Sequence, residues 1–156
     1  MSENTISTSF NLENDFHEEP LVPQGNYYAS VTGVSLDTEK AAIVWKIVLQ
    51  GNGAVMSDGE TEVEGATLFF RNWLPRPGDE TEMTTTGRTT KFQSKVNQLA
   101  KFAKGMNINM NTPQVIQEAI DDGEWIGLDV LATVTISEYQ GTTRNDVSRM
   151  SAVNPT

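Results

Sequence analysis

Thr90-Lys91-Phe92-Gln93-Ser94-Lys95-Val96-Asn97-Gln98-Leu99-Ala100-Lys101-Phe102-Ala103-Lys104-Gly105 is the stretch on which the reading of the fold turns. Thr90 with Gln93 three positions on is a capping-box signature, in which each end of the pair satisfies a backbone N–H that a helix start leaves orphaned. Behind it, Phe92, Val96, Leu99 and Ala103 recur at helical spacing and share one face. Gly105 is a plausible stop, because glycine accepts the left-handed conformation in which many helices end. Thr112-Pro113 then predicts a second helix, a cap followed by a proline that fits the first turn. Val115, Ile116, Ala119 and Ile120 form its inner side, and Gly123 ends it.

Strands are legible on both sides of this helical insert. Upstream, Tyr27 to Leu36 is rich in aromatic and β-branched residues, and Gly33 within it predicts a bulge or sharp bend. Ile43, Trp45, Ile47 and Leu49 then alternate with Val44, Lys46 and Val48, a period-two strand with one strongly apolar face. A third strand runs from Thr67 to Leu74. Leu68, Phe70, Asn72 and Leu74 share the face suited to a core, and Thr67, Phe69, Arg71 and Trp73 share the other. Pro75-Arg76-Pro77-Gly78-Asp79 breaks it. Downstream, Leu128 to Tyr139 and Arg144 to Val153 make a hairpin about Gln140-Gly141. Three strands, two helices and two strands is the connectivity of a five-stranded OB barrel, a partly open Greek-key form. The expected fold class is therefore mainly β: an OB-fold β-barrel with one or two helices between strands 3 and 4. A generic α+β domain fits the same order less specifically. On this reading residues 25–153 are the domain, 1–24 an acidic arm and 154–156 a short tail. Phe10, Leu12 and Phe16 would anchor the arm if it lies across the domain rather than moving freely.

The 156 residues suit one domain with a single sizeable core. No apolar run approaches the roughly 18 residues of a membrane span, and the start lacks a signal-peptide pattern. Absence of cysteine excludes disulfides, thiolate chemistry and cysteine-ligated zinc. The simplest expectation is a protein of the cytoplasm, without a membrane partner. The formal net charge of −10 argues against nucleic acid when taken as a sum. Its distribution argues otherwise. Glu13, Asp15, Glu18 and Glu19 crowd the arm, Glu60, Glu62 and Glu64 one loop, and Asp79, Glu80 and Glu82 another. The stretch from Thr84 to Asn111 carries Arg88, Lys91, Lys95, Lys101 and Lys104 and no acid. The acidic loops either keep the protein soluble or are themselves a contact surface.

Catalytic chemistry finds little material. The one histidine, His17, lies in the arm and reads as a solvated surface residue. No Ser-His-Asp set can be assembled in the domain. Asp121, Asp122 and Glu124 sit at a predicted helix end, where solvated acids are common, so no metal is expected. Gly51-Asn52-Gly53 lacks the lysine and the helix start of a phosphate loop. The chain is expected to be no enzyme and to need no cofactor.

Single-stranded nucleic acid fits better. Bases stack on aromatic rings for roughly 1–3 kcal/mol each, and an OB barrel offers its second and third strands as the platform. Trp45, Phe69 and Trp73 lie on those strands, with Lys46, Arg71 and Arg76 close by. Trp45 also has Ile43, Ile47 and Leu49 as same-face neighbours, which would make it core. The hydroxyl-rich loop from Thr84 to Lys91 places Arg88 where it could clamp a backbone, and Lys91 and Lys95 follow on one shoulder of the helix, either as phosphate contacts or as a solvated face. Arg144, with Thr142 and Thr143, occupies the last hairpin, beside the loop that often joins an OB binding face.

Pro23-Gln24-Gly25-Asn26-Tyr27-Tyr28-Ala29 resembles the P-x-G-x-Y-x-A opening of a phage domain family encoded near recombination and replication genes and similar to single-stranded-DNA-binding proteins. Gly127-Leu128-Asp129-Val130 and Glu138-Tyr139-Gln140-Gly141, followed by Asn145, resemble its closing G-x-x-V and E-Y-x-G segments. The resemblance spans residues 10–153. It implies an OB-like fold, single-stranded DNA as ligand, and phage or host replication and recombination proteins as further partners. The chain departs from many phage single-strand binders in ending without an acidic tail, so a recruiting role would fall to the acidic arm. Two rival readings remain: an acidic protein-interaction module that mimics DNA or inhibits a basic partner, and a structural virion component. Oligomer formation is left open by the sequence.

Overall fold

The computed structural model describes residues 7–16 and 19–153; the expected surface histidine, His17, the arm acid Glu18 and the tail at 154–156 lie outside the described residues. In chain order the elements are a one-turn helix α1 (Leu12–Asp15), β1 (Gly25–Asp37), β2 (Ala42–Leu49), β3 (Thr67–Trp73), α2 (Lys91–Met106), α3 (Pro113–Asp121), β4 (Asp129–Tyr139) and β5 (Thr142–Ala152). The strands form one antiparallel sheet in the order β3-β2-β1-β4-β5, with both long helices between the third and fourth strands.

The sheet is not closed into a barrel, so the partly open β-barrel expected from the sequence is corrected to an open five-stranded sheet. Its edge strands β3 and β5 come into contact, yet no ladder joins them. At one end of this seam the chain entering the domain runs between the β2–β3 loop and β5. Leu21 exchanges two 2.8 Å hydrogen bonds with Ser57, one from its N–H to Ser57 Oγ and one from Ser57 N–H to its carbonyl. Val22 is held the same way by one side chain: its N–H donates to Asn145 Oδ1 and its carbonyl accepts from Asn145 Nδ2, both at 2.8 Å. Asn145 thus supplies the donor and acceptor that a neighbouring strand would have offered, and Val22 is buried in the core. The connectivity is consistent with an OB-like fold.

Packing follows from alternation. Ile43, Trp45, Ile47 and Leu49, on one face of β2, are completely buried together with Val31, Val130 and Val134 from β1 and β4. Helix α2 lies against β5 and β3, and α3 against β1. An aromatic cluster joins these layers. Trp45 stacks on Trp125 at 5.2 Å between ring centres and meets Phe102 edge-on at 5.4 Å, while Phe102 stacks on Phe70 at 5.4 Å. Such ring pairs add about 0.5–1.5 kcal/mol beyond the area they bury. The predicted bulge is present: Val31 pairs with Ile47 and Gly33 with Lys46, so Thr32 is left over.

Helix starts match their sequence signals. Thr90 Oγ1 accepts from Gln93 N–H and Thr112 Oγ1 from Val115 N–H, each at 3.1 Å. The reciprocal half of the capping box is not made, because Gln93 Nε2 donates forward to Asn97 Oδ1 instead. Gly105 does not end α2. The helix continues to Met106, which the core buries, and Asn107 takes the left-handed cap at φ 57° and ψ 45°. Asparagine tolerates that conformation because its short amide can bond locally.

Candidate nucleic-acid interface

Register decides which side chains of strands 2 and 3 reach solvent. Across β2 and β3, Trp45 pairs with Phe70 and Ile43 with Asn72, all directed inward, whereas Lys46 pairs with Phe69, Val44 with Arg71 and Ala42 with Trp73 on the opposite face. Phe69 and Trp73 are each 49% exposed, and Lys46 and Arg71 are exposed between and beside them. Two-residue steps on a strand place Phe69, Arg71 and Trp73 about 7 Å apart in sequence, so the two rings stand roughly 13 Å from each other with a guanidinium between. A strand stacked at about 3.4 Å per nucleotide would cover that distance with about four nucleotides.

The surroundings keep this row open. Gly33 opposes Lys46 on β1, where a Cβ would only make ordinary contact with Lys46 Cβ at 3.6 Å, so the glycine leaves that side of the lysine stem without a side-chain neighbour. Neither Lys46 nor Arg71 is ion-paired to any described residue. Asp37, the acid on the same face opposite Ala42, caps its own turn by accepting Lys40 N–H at 3.1 Å.

Other sequence-nominated residues are placed differently. Trp45 is wholly buried, its indole N–H donating to Asn72 Oδ1 at 2.7 Å, and it is corrected from platform to core. Its apolar same-face neighbours carry it inward. Arg76 is exposed at the β3 end of the row, where Nη2 donates to the Glu39 carbonyl at 3.1 Å and ties the proline loop to the β1–β2 turn. Lys95 is bound at 2.8 Å to Asp79, a buried carboxylate that also accepts Arg76 N–H at 2.7 Å. The Lys95 hydrogen bond, then the Arg76 N–H, hold the Asp79 carboxyl below its usual range. Lys91 meets Glu82 at 2.8 Å, and that hydrogen bond raises its pKa. Both lysines are therefore already partnered by the loop preceding α2. Exposed pairs of the Lys91 kind are weak and exchangeable. Arg88 projects from a closed turn in which Thr84 N–H bonds the Thr89 carbonyl at 2.9 Å.

Arg144 lies apart from the β3 row. It faces Asp146 at 3.4 Å and lines a cavity of about 820 Å³ with Phe16, Glu19, Leu21 and Thr67, where the arm meets the seam. Sequence reasoning missed two residues on the same outer face of the sheet. Tyr28 of β1 is half exposed and pairs with Leu131, and Arg149 of β5 is exposed and pairs with Thr133. Continuing the alternation from Ala29 would have put Tyr28 outside. Arg149 was hidden by the register shift between Thr133 and Val134, which no local pattern marks.

Among the described residues no three acidic or histidine side chains are grouped to hold a metal ion, and no helix is long and apolar enough to cross a membrane. No family model matches the sequence, and no curated protein matches it.

Proposed function

We propose that the chain is a single-stranded-DNA-binding protein of phage type with an OB-like fold, acting in replication or recombination and contacting backbone and base planes. The observation that carries this reading is the outer row of β3, in which two half-exposed rings flank an exposed arginine, beside Lys46. Rings offer stacking to any base, and the two cations offer phosphate contacts without reading sequence. Distribution of charge supports it despite the net −10: Asp37, an acid on that face, is engaged in its own turn, and the Glu60, Glu62 and Glu64 cluster stands in the β2–β3 loop. An electrophoretic shift with oligo-deoxythymidine tests it. The complex should form at low salt and weaken as salt rises, with a slope near −0.7 per phosphate neutralised. Arg71→Ala should flatten that slope by about one contact.

A second reading, an acidic module that binds a basic protein, draws support from the fact that Lys91, Lys95 and Arg144 are each ion-paired with a carboxylate. Capture of a basic partner by a protein that shifts no single-stranded DNA would favour it.

A further inference from the structure

Behind the outer row, between β3 and α2, lies a slot of about 110 Å³ lined by Phe70, Arg71, Asn72, Trp73, Gln98, Leu99 and Phe102. Three of those residues present aromatic rings, and Trp73 belongs also to the proposed stacking row. Asn72 is only 8% exposed, and its amide is oriented by chemistry rather than by choice. The Trp45 indole can only donate, so the atom it meets at 2.7 Å must be the oxygen, Oδ1. The Nδ2 end then carries two N–H donors, and neither is taken by a described residue. No buried side-chain nitrogen or oxygen among the described residues lacks a partner, so Nδ2, unlike Oδ1, is open to solvent and free to donate to a ligand. At the slot's other wall Gln98 donates Nε2 to Ser94 Oγ at 3.3 Å, which leaves its carbonyl oxygen available to a ligand.

We propose that this slot receives one pyrimidine base of the bound strand. The inference rests on the single-strand-binding reading and adds to it a preference at one position. Size argues for a single ring: a closed cavity of roughly 150 Å³ accommodates benzene, and a slightly smaller slot open at its mouth admits a six-membered ring but not a fused pair. Chemistry argues for a carbonyl-bearing ring: Asn72 Nδ2 donates to O2 of thymine or cytosine, and Gln98 accepts from the N3–H or exocyclic amine. Phe70, Phe102 and Trp73 supply the apolar walls.

The test compares oligo-deoxythymidine with oligo-deoxyadenosine by their ratio of affinities, in the wild type and in slot variants. Adenine strands stack on themselves, so some preference for thymidine is generic; that part is unchanged by any variant. Asn72→Asp keeps the acceptor for Trp45 and removes the donor, and Leu99→Phe fills the slot while leaving Asn72 intact. Each should lower the ratio about tenfold, the worth of one buried hydrogen bond, with unchanged near-ultraviolet circular dichroism. In the ¹⁵N-labelled wild type, the Asn72 side-chain amide signals should move with oligo-deoxythymidine and stay with oligo-deoxyadenosine. A wild type that binds both strands, with a ratio untouched by Leu99→Phe and Asn72 signals that do not move, would overturn the slot and leave the platform standing. A wild type that binds neither would overturn both.

Discussion

Trp45 and Trp73 lie on neighbouring strands of the same sheet, each in an alternating run, and they end on opposite sides of it. Trp45 is enclosed between Trp125 and Phe102 with its N–H bonded to Asn72, while Trp73 has half its surface in solvent beside Arg71. Residue type does not separate them; the company each keeps at positions two residues away does. The neighbours of Trp45 are Ile43 and Ile47, and those of Trp73 are Arg71 and a proline loop. One tryptophan therefore serves stability and the other is free for binding.

The contrast can be broken most severely at its buried end. Trp45→Ala should cost about 3–5 kcal/mol in urea unfolding, the range for emptying a large aromatic site from a core. Trp73→Ala should cost about 1 kcal/mol or less. Equal losses at the two sites would deny the assignment of faces. A step smaller, Asn72→Ala strands the Trp45 N–H in the core and should cost about 1–3 kcal/mol by the same measurement.

Asp79 sharpens the comparison from a different side, because it decides which cations near the row are occupied. Its carboxyl is held below the ordinary value of 3.8 by Lys95 and by Arg76 N–H. A group with a depressed folded pKa contributes stability that is complete above its unfolded pKa and disappears as pH falls through the folded one. Asp79→Asn should therefore unfold at lower urea than the wild type at neutral pH, and the gap should close below the ordinary carboxylate range. The smallest effect is expected at Lys91, whose exposed pair with Glu82 should be removable by Lys91→Ala without a measurable change in melting temperature.

Much of the fold was legible because it is written locally. Alternation marked the strands, Thr90 and Thr112 marked the helix starts, and Gly33 marked the bulge. The outer set Phe69, Arg71 and Trp73 was legible for the same reason, since one strand's alternation fixes which residues travel together. What escaped depends on contacts between distant segments. Ile43 and Ile47 hint that the Trp45 set faces in, but what encloses Trp45 cannot be read from β2, because Trp125 and Phe102 lie more than fifty residues on. Lys91 and Lys95 looked free because their acids, Glu82 and Asp79, reach them only when the loop folds back on α2. The open seam and its clamp by Asn145 were equally invisible, since the partner is the backbone of Val22 at the far end of the chain.

The three tryptophans make the central claim directly measurable. Trp45 and Trp125 are buried and stacked together, so emission that responds to a base stacked on the outer face of β3 comes from Trp73. Oligo-deoxythymidine should quench the wild-type emission at low salt, and in Trp73→Phe that quenching should be lost while a weakened gel shift remains. Absence of both quenching and a gel shift in the wild type would contradict a nucleic-acid platform on β3, and quenching that survives Trp73→Phe would contradict its location.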